Sequence, residues 1–506
     1  MMEIETKLVP PPGFVVPDLS GAVKGLGFAG SGTDDVKALC LVARYFDTED
    51  LALARSSITL RHRTGPEGAR WTVKLPARSR KEHHLARREI DVDAPATEPP
   101  PEVQRLLAAQ LRGRTLNVVA ELVTTRLTQR LEAPDGTGVV EIVTDHVCGT
   151  SADGRVLEFD EIEVEQLHGR GAKQARRAVV AALRNAGCRR GRQLPKLMRV
   201  LDAEGLGPPD VVLPRLTSDP NVSDAVGYAL ARSVDQILFH DPRVRLGGND
   251  EDLHQFRVAL RRLRSDLSTF AALLDMASAD SLRHELGWLA GTTSARRDLD
   301  VLRARLAKER DEVAPQDVAA LEELLCRCDE QSQLAYGIIL EALTSERYLN
   351  LLDVLVDSVR EFVNRTQPTV DDAETKQHLR RLVRRRWRKL NRRVHRLASG
   401  PTPHALHRTR IITKRYRAAV QAAAPILGPG SARLDRKLAG LQDVLGDIHD
   451  YEVAQAWLRS AAAEQPSTAL VAGQMIASLR ADSKRRWSEW PEAWQRVRQQ
   501  RHRLRR

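Results

Sequence analysis

Two periodicities divide the chain. Up to about residue 204, apolar and charged positions alternate in short runs; beyond about residue 219, apolar positions recur every three to four residues. The first pattern predicts β-strands and the second amphipathic α-helices. In Met2-Glu3-Ile4-Glu5-Thr6-Lys7-Leu8, Ile4 and Leu8 share one face, while Glu3, Glu5 and Lys7 share the other. The same phase predicts strands over Val36–Asp47, Ile58–Arg63, Trp71–Leu75, Leu85–Val92, Val118–Leu131, Val139–Val143 and about Glu161–Glu165. Pro-Ala-Thr-Glu-Pro-Pro-Pro at 95–101 interrupts the run, and helices are expected over about 102–111 and over Lys173–Asn185. A Gly- and Pro-rich stretch from residue 205 predicts a boundary: a first domain over 1–204, a linker over 205–218 and a helical domain over 219–506.

The polar face of the predicted strands is charged in strand after strand, and the charges are sorted. Carboxylates cluster at the two ends of the domain, at Glu3 and Glu5 and at Glu161, Glu163 and Glu165. Basic residues lie between them: Arg61, Arg63, Lys74, Arg87 and Arg126. A sheet closed on itself would gather both sets around one bore. Carboxylates hold hard divalent cations, and Arg and Lys hold phosphate oxygens, so the bore suits a metal–triphosphate. Composition narrows the partners further. The formal charge of +12 calls for a polyanion. The five cysteines contain no CxxC pair and read as free thiols. With no signal peptide and no long uncharged apolar run, the expectation is a cytoplasmic protein without a membrane partner.

The ordered series Glu3-x-Glu5-x-Lys7, Tyr45-x-Asp47-Thr48, Leu60-Arg61-x-Arg63, Thr72-x-Lys74, Arg87-x-Glu89 and Glu161-x-Glu163-x-Glu165 resembles the CYTH domains, also called triphosphate tunnel metalloenzymes. The resemblance covers nearly the whole first domain, with no motif residue missing. It implies an eight-stranded antiparallel tunnel with flanking helices and Mg²⁺- or Mn²⁺-dependent chemistry on triphosphates. It also implies metal ligands at Glu3, Glu5, Glu161 and Glu163, and a catalytic phosphate clamp of Lys7, Arg61, Arg63, Lys74, Arg87, Glu89, Arg126 and Lys196. Arg130, Glu141, Asp145 and Glu165 join the charged face by strand phase. The water could be positioned by Glu161, Glu163 or Glu165.

The helical half contains a duplication. His254, Arg257, Arg261 and Arg264 are spaced 3, 4 and 3, and His407, Arg410, Lys414 and Arg417 repeat that spacing. Each set forms one helical stripe, and matching stretches follow at Leu289–Val301 and Leu441–Val453. No acidic residue occurs between Glu374 and Asp435, where Arg381, Arg384, Arg385, Arg388, Arg392 and Arg396 make one side of a helix and Leu379, Leu382, Leu390, Val394 and Leu397 the other. Like charges four apart destabilise a helix, so counter-charge must come from the fold or from a ligand. These motifs resemble the CHAD domain over about residues 219 to 506, with repeats at about 219–365 and 372–506. The resemblance implies an all-α, duplicated four-helix bundle associated with inorganic polyphosphate. The expected contacts are His254, Arg257, Arg261, Arg264, His407, Arg410, Lys414, Arg417, Arg381, Arg385 and Arg388. Aromatic side chains are not interleaved with the stripes, which disfavours nucleic acid, and Trp387 and Tyr416 read as core or boundary residues.

Together these readings give an α+β two-domain protein: an inorganic triphosphatase acting on tripolyphosphate or short-chain polyphosphate, with long-chain polyphosphate bound by its helical domain. The alternatives are a thiamine or nucleoside triphosphatase, including adenylate cyclase-like activity, and a non-catalytic protein of polyphosphate granules. Whether the two basic stripes face one groove or two, and the oligomeric state, stay open.

Overall fold

The computed structural model describes residues 2–19, 23, 26–28, 38–66, 68–77, 85–167, 171–202, 204–216, 221–247, 250–271, 274, 276–364, 372–397, 401–424, 428 and 430–503. The chain forms two compact units, Met1–Asp210 and Val211–Arg506.

The first unit is a closed antiparallel barrel. Its strands are β1 (Met2–Val9), β3 (Leu39–Asp47), β4 (Thr59–Gly65), β5 (Gly68–Pro76), β6 (Leu85–Val92), β7 (Asn117–Glu132), β8 (Gly138–Ser151) and β9 (Val156–Gln166). They pair in the order β1-β6-β5-β4-β3-β7-β8-β9, and β9 returns to β1 through Glu5 opposite Glu165 and Lys7 opposite Glu163. Two short strands, β2 (Gly27–Phe28) and β10 (Arg189–Arg190), pair with β7 and β1. The apolar faces point outward. Leu8, Val140, Ile142, Ile162 and Val164 are buried beneath Ala172, Ala175, Val179 and Leu183 of a helix at Ala172–Asn185. Those four helical residues recur at i, i+3, i+7 and i+11, which is one helical face. Toward one end of the bore the lining turns apolar: Ala43, Tyr45, Leu122 and Val147 pack with Leu197 and Val200 of the short helix Lys196–Val200.

Two expectations need amendment. The helix expected over about 102–111 is broken at Leu107 into Pro101–Leu106 and Ala108–Leu111. The strand expected to end at Val143 runs to Ser151, because β7 and β9 pair with it along its whole length. In addition, the Asp47 carboxylate accepts bonds from the backbone N–H groups of Thr48, Leu53 and Ala54, so this motif residue fixes the turn after β3.

The second unit is all-helical. Numbering its helices from α1, they are α1 (Val222–Arg245), α2 (Asp250–Thr269), α3 (Met276–Thr292), α4 (Ser294–Lys308), α5 (Val318–Thr344), α6 (Glu346–Asn364), α7 (Asp372–His395), α8 (Pro403–Ala422), α9 (Gly430–Glu464) and α10 (Ala469–Arg503). The duplication is visible in their order. α1 and α2 correspond to α7 and α8, the pair α3–α4 to α9, and the pair α5–α6 to α10. The first copy thus breaks, at Thr293 and Ser345, two helices that run through in the second. α2 and α8 pack against each other. On α7 the buried stripe is Leu379, Val383, Leu390, Val394 and Leu397, with Val383 in the place expected for Leu382. Trp387 stacks on Trp494 at 5.3 Å, and Tyr416 is fully buried beside it.

One buried acid gives a stability prediction. Asp266 of α2 is 2% exposed, and its Oδ2 has no hydrogen-bond partner. Burial, eased only partly by Arg262, pushes its carboxyl up to about 7. A carboxyl raised in the folded state favours folding when protonated, so its stabilising effect fades as pH rises from about 4 to about 7. Asp266→Asn is therefore expected to raise the stability of this unit at pH 8 by about 2–4 kcal/mol and to leave it unchanged at pH 4. Thermal melts at the two pH values measure this, and an equal effect at both would contradict it.

Candidate functional sites

Odd-numbered residues of β1, β3, β4, β6, β8 and β9 and even-numbered residues of β5 and β7 point into the barrel. All of these strands except β8, with Lys196 of the short helix, line a cavity of about 280 Å³ with seven basic side chains (Lys7, Arg61, Arg63, Lys74, Arg87, Arg126 and Lys196) and five acidic ones (Glu5, Glu89, Asp91, Glu163 and Glu165). Carboxylate oxygens of Glu5, Glu163 and Glu165 lie within 4.8 Å of one another. Three oxygen donors at that spacing fit a hard divalent cation. Glu161, expected as a ligand, contacts Lys7 Nζ at 2.7 Å, Lys196 Nζ at 3.1 Å and Arg199 Nη1 at 3.1 Å. The side chain of Glu3 lies outside the described residues; its backbone pairs with Arg87.

The buried charges hold one another ionised. Lys7 is 2% exposed and contacts Glu161, Glu163 and, at 3.6 Å, Glu5. Burial alone would lower its ammonium, but Glu163 and Glu5 keep it well above the ordinary lysine range. Lys196 reaches Glu163 at 2.6 Å and Asp145 at 3.0 Å, and these carboxylates likewise outweigh its burial. Glu163 is held well below the usual carboxylate range, since Lys196, Lys7 and Arg126 overcome its desolvation. Arg126 forms a two-pronged pair with the fully buried Asp145, at 2.8 and 2.6 Å, and reaches Glu163 at 3.4 Å. Toward the β4–β6 wall the basic groups have fewer acids. Arg61 and Lys74 share Glu89 at 3.5 and 3.6 Å, Arg87 donates to Thr59 Oγ1 at 3.4 Å, and burial, Arg61 and Arg126 push Arg63 down. Arg130 and Glu141 pair with each other at 2.7 Å, with Arg130 largely exposed.

Four contributors escaped the sequence reading, the first being Asp91, which continues the phase of Arg87 and Glu89 along β6. Arg199 pairs with Glu161 and lies 3.5 Å over the Phe159 ring; its i+3 spacing from Lys196 was the available signal. Gln193 brackets the main chain of Lys7, accepting from its N–H at 3.1 Å and donating to its carbonyl at 3.0 Å. Arg176 donates to Thr6 Oγ1. The last two are spread over the fold by 186 and 170 positions, which no local pattern encodes.

In the helical unit, the two stripes meet in one basic cluster. The charges of Arg257 and Arg261 on α2, Arg297 on α4, and Arg410, Lys414 and Arg417 on α8 act on one another. His407 packs against His449 at 4.1 Å between ring centres. His254 is pushed down by burial and by Arg297. Arg257 donates to the Thr293 carbonyl at the break between α3 and α4, and Arg410 lies against α9 where Gly446 lacks a side chain. Arg417 is paired with Asp435 at 2.8 Å. Arg264 faces elsewhere, toward Arg283 and Arg415, and Arg386 of α7 adjoins Arg415, Arg385 and Arg283. Arg381, Arg385 and Arg388 are exposed, and among the described residues none of them has an acidic partner.

Comparison with known proteins fits this division. Residues 1–197 match the CYTH domain family and residues 228–459 the CHAD domain family. An uncharacterised protein of Mycobacterium tuberculosis is 28% identical over 472 residues, covering 90% of this chain and 88% of that protein. Among solved structures, the CHAD domain from the plant Ricinus communis is 26% identical and covers 57% of this chain and 95% of its own, with a TM-score of 0.46. HpAC1 from Hippeastrum, described as a candidate adenylyl cyclase with a dominant triphosphatase activity, is 16% identical and covers 40% of this chain and 96% of its own, with a TM-score of 0.26. CYTH domains are metal-dependent, their members are triphosphatases or cyclases, and CYTH and CHAD domains are associated with triphosphate and polyphosphate binding. Among the described residues no helix is long and apolar enough to cross a membrane. The chain is a CYTH domain followed by a CHAD domain.

Proposed function

We propose that the tunnel hydrolyses inorganic triphosphate or the ends of short polyphosphates, and that the helical unit binds longer polyphosphate. The observation that carries the first half is the cavity lining: seven basic side chains around three converging carboxylates. Glu5, Glu163 and Glu165 would hold Mg²⁺ or Mn²⁺, with Glu3 as the further ligand expected from the motif. Such an ion, when bound, neutralises phosphate charge and acidifies a coordinated water. The protein's own part is an exchange of partners. Lys7 and Lys196 both pair with Glu163. An entering triphosphate offers them oxygens, and the freed carboxylate is available to the cation. Arg61, Arg63, Lys74, Arg87 and Arg126 fix the remaining phosphate oxygens and stabilise charge on the leaving group.

The test is phosphate release from tripolyphosphate, ATP, thiamine triphosphate and long-chain polyphosphate, with and without Mg²⁺ or Mn²⁺. Release from tripolyphosphate, metal-dependent and at least tenfold faster than from the others, is expected. Preference for ATP or thiamine triphosphate would favour the organic-substrate alternative. For the helical unit, Arg261→Ala with Arg410→Ala is expected to weaken long-chain polyphosphate binding by about 1–3 kcal/mol, as for lost charge-assisted contacts, and to flatten its salt dependence. Unchanged binding would reject this cluster as the contact surface.

A further inference from the structure

The two copies of the basic stripe are not chemically equivalent. The first is built on guanidiniums: Arg257, Arg261 and, from α4, Arg297. In the second, Lys414 stands where the first has Arg261, and His449 of α9 stands where the first has Arg297. Arginine keeps its charge in proteins, whereas lysine and histidine lose theirs readily when crowded and half-buried. The second copy therefore contains two groups that can trade protons where the first has guanidiniums, His254 and His407 being common to both.

Their surroundings are crowded with like charge. Lys414 is half-buried on α8, with Arg410 on its own helix and Arg261 and Arg257 on α2 acting on it; Asp450 of α9 is the main acid opposing them. Asp298 of α4 adjoins the same group and faces Asp450. Arg417, the next stripe position, is already neutralised by Asp435. Of the other helices packed on α8, α7 contributes Arg386 and Arg393, which donate to the carbonyls of Arg415 and Ala405, and α1 contributes Arg232, which faces Arg262. His407 and His449 pack ring to ring, and His407 Nδ1 is buried without a hydrogen-bond partner. Burial, with Arg410 and Arg261, pushes the Lys414 ammonium down to about 7, and burial, with His407 and Arg410, pushes His449 down to about 4. A polyanion laid on the cluster reverses the balance, since each added proton then meets phosphate charge instead of a neighbouring guanidinium.

We propose that the helical unit takes up protons as it binds polyphosphate, through Lys414 and the His407–His449 pair, so that binding tightens as the medium acidifies. The inference rests on the reading of this cluster as the polyphosphate site. The sign follows from linkage: groups that bind protons more tightly in the complex make affinity fall as pH rises from their free-state value toward their higher value in the complex. Nothing is transferred covalently; protons move from solvent to the Lys414 amine and the imidazole nitrogens.

Titration calorimetry of the full chain with long-chain sodium polyphosphate tests this. Divalent cations are omitted to prevent hydrolysis, and long chains keep the few titrating terminal phosphates from dominating. Affinity is expected to fall at least tenfold between pH 6 and pH 8.5. At pH 7.5 the heat is expected to differ between buffers of unequal ionisation enthalpy, as net proton uptake requires. Lys414→Arg, which keeps the charge and cannot lose it, is expected to bind at pH 8.5 as tightly as at pH 7 and to show no buffer-dependent heat there. His407→Gln with His449→Gln is expected to remove the further tightening below pH 6.5. Firm binding that is independent of pH and buffer, or a Lys414→Arg variant that retains the full alkaline loss, would overturn the proposal while leaving the site assignment intact. Absence of binding at every pH would overturn the polyphosphate reading itself and the proposal with it.

Discussion

Glu5→Gln combined with Glu165→Gln is expected to abolish metal-dependent phosphate release while leaving the barrel folded. The two carboxylates face each other across the β1–β9 pairing and, with Glu163, form the oxygen cluster. Glutamine keeps the size and a carbonyl oxygen of each side chain but removes both negative charges, and hard cations depend on that charge. Turnover should fall on the order of 10³-fold or more, about 4 kcal/mol of transition-state stabilisation. The melting temperature should change little, because Lys7 and Lys196 keep Glu163 and Glu161 as partners. Polyphosphate binding by the helical unit should be unaffected. Steady-state kinetics with Mg²⁺ and Mn²⁺, beside a melt, decide it; retained turnover would refute the cation site.

The second large effect is expected at Lys7. Lys7→Met takes the ammonium from the centre of Glu5, Glu161 and Glu163, all nearly fully buried. Removing one partner of a buried ionic set typically costs about 3–5 kcal/mol, which lowers the melting temperature of a unit this size by on the order of 10 °C. The pH window follows from the shifts. Glu163 is depressed, so its contribution is present above about 4.5 and lost as pH falls below it. Lys7 is raised, so its contribution is complete below about 10.5 and lost only above that. The gap between the two proteins should be widest between those limits and close toward acid, where the carboxylates no longer need a counter-charge. Mg²⁺ or Mn²⁺ should restore part of the loss in the variant, because a cation held by the same carboxylates replaces the missing charge. Failure of both ions to raise its melting temperature would count against the cation site independently of any activity.

Much of this was legible locally and the rest was not, for identifiable reasons. Strict alternation placed the strands, and the motif series named nearly every charge in the tunnel. Alternation could not choose among Glu161, Glu163 and Glu165, which share a face. Register separates their surroundings: Glu165 lies opposite Glu5, whereas Glu161 lies opposite Asp145, near Lys196 and Arg199. The end of β8 was missed because His146, Gly149 and Thr150 dilute its apolar phase, and only its pairing with neighbouring strands reveals it. The 3-4-3 stripes announced the duplication. Their convergence depends on α2 packing against α8, a contact between residues about 150 positions apart that no helical periodicity contains.

The closure of the barrel through β1 and β9 has a consequence for how the protein is made. Glu5 and Glu165 are about 160 residues apart, so during translation β1 can pair with β6 but waits for most of the unit before its second partner exists. Contacts of such long range form late and slowly. β1 carries charge on one face, which keeps an unpaired strand soluble and a poor template for other chains. The step that seals the barrel is also the one that brings the three carboxylates together. On the proposed reading, no partly closed intermediate carries the cation site, and a nascent chain captures metal–triphosphate only once its barrel is sealed.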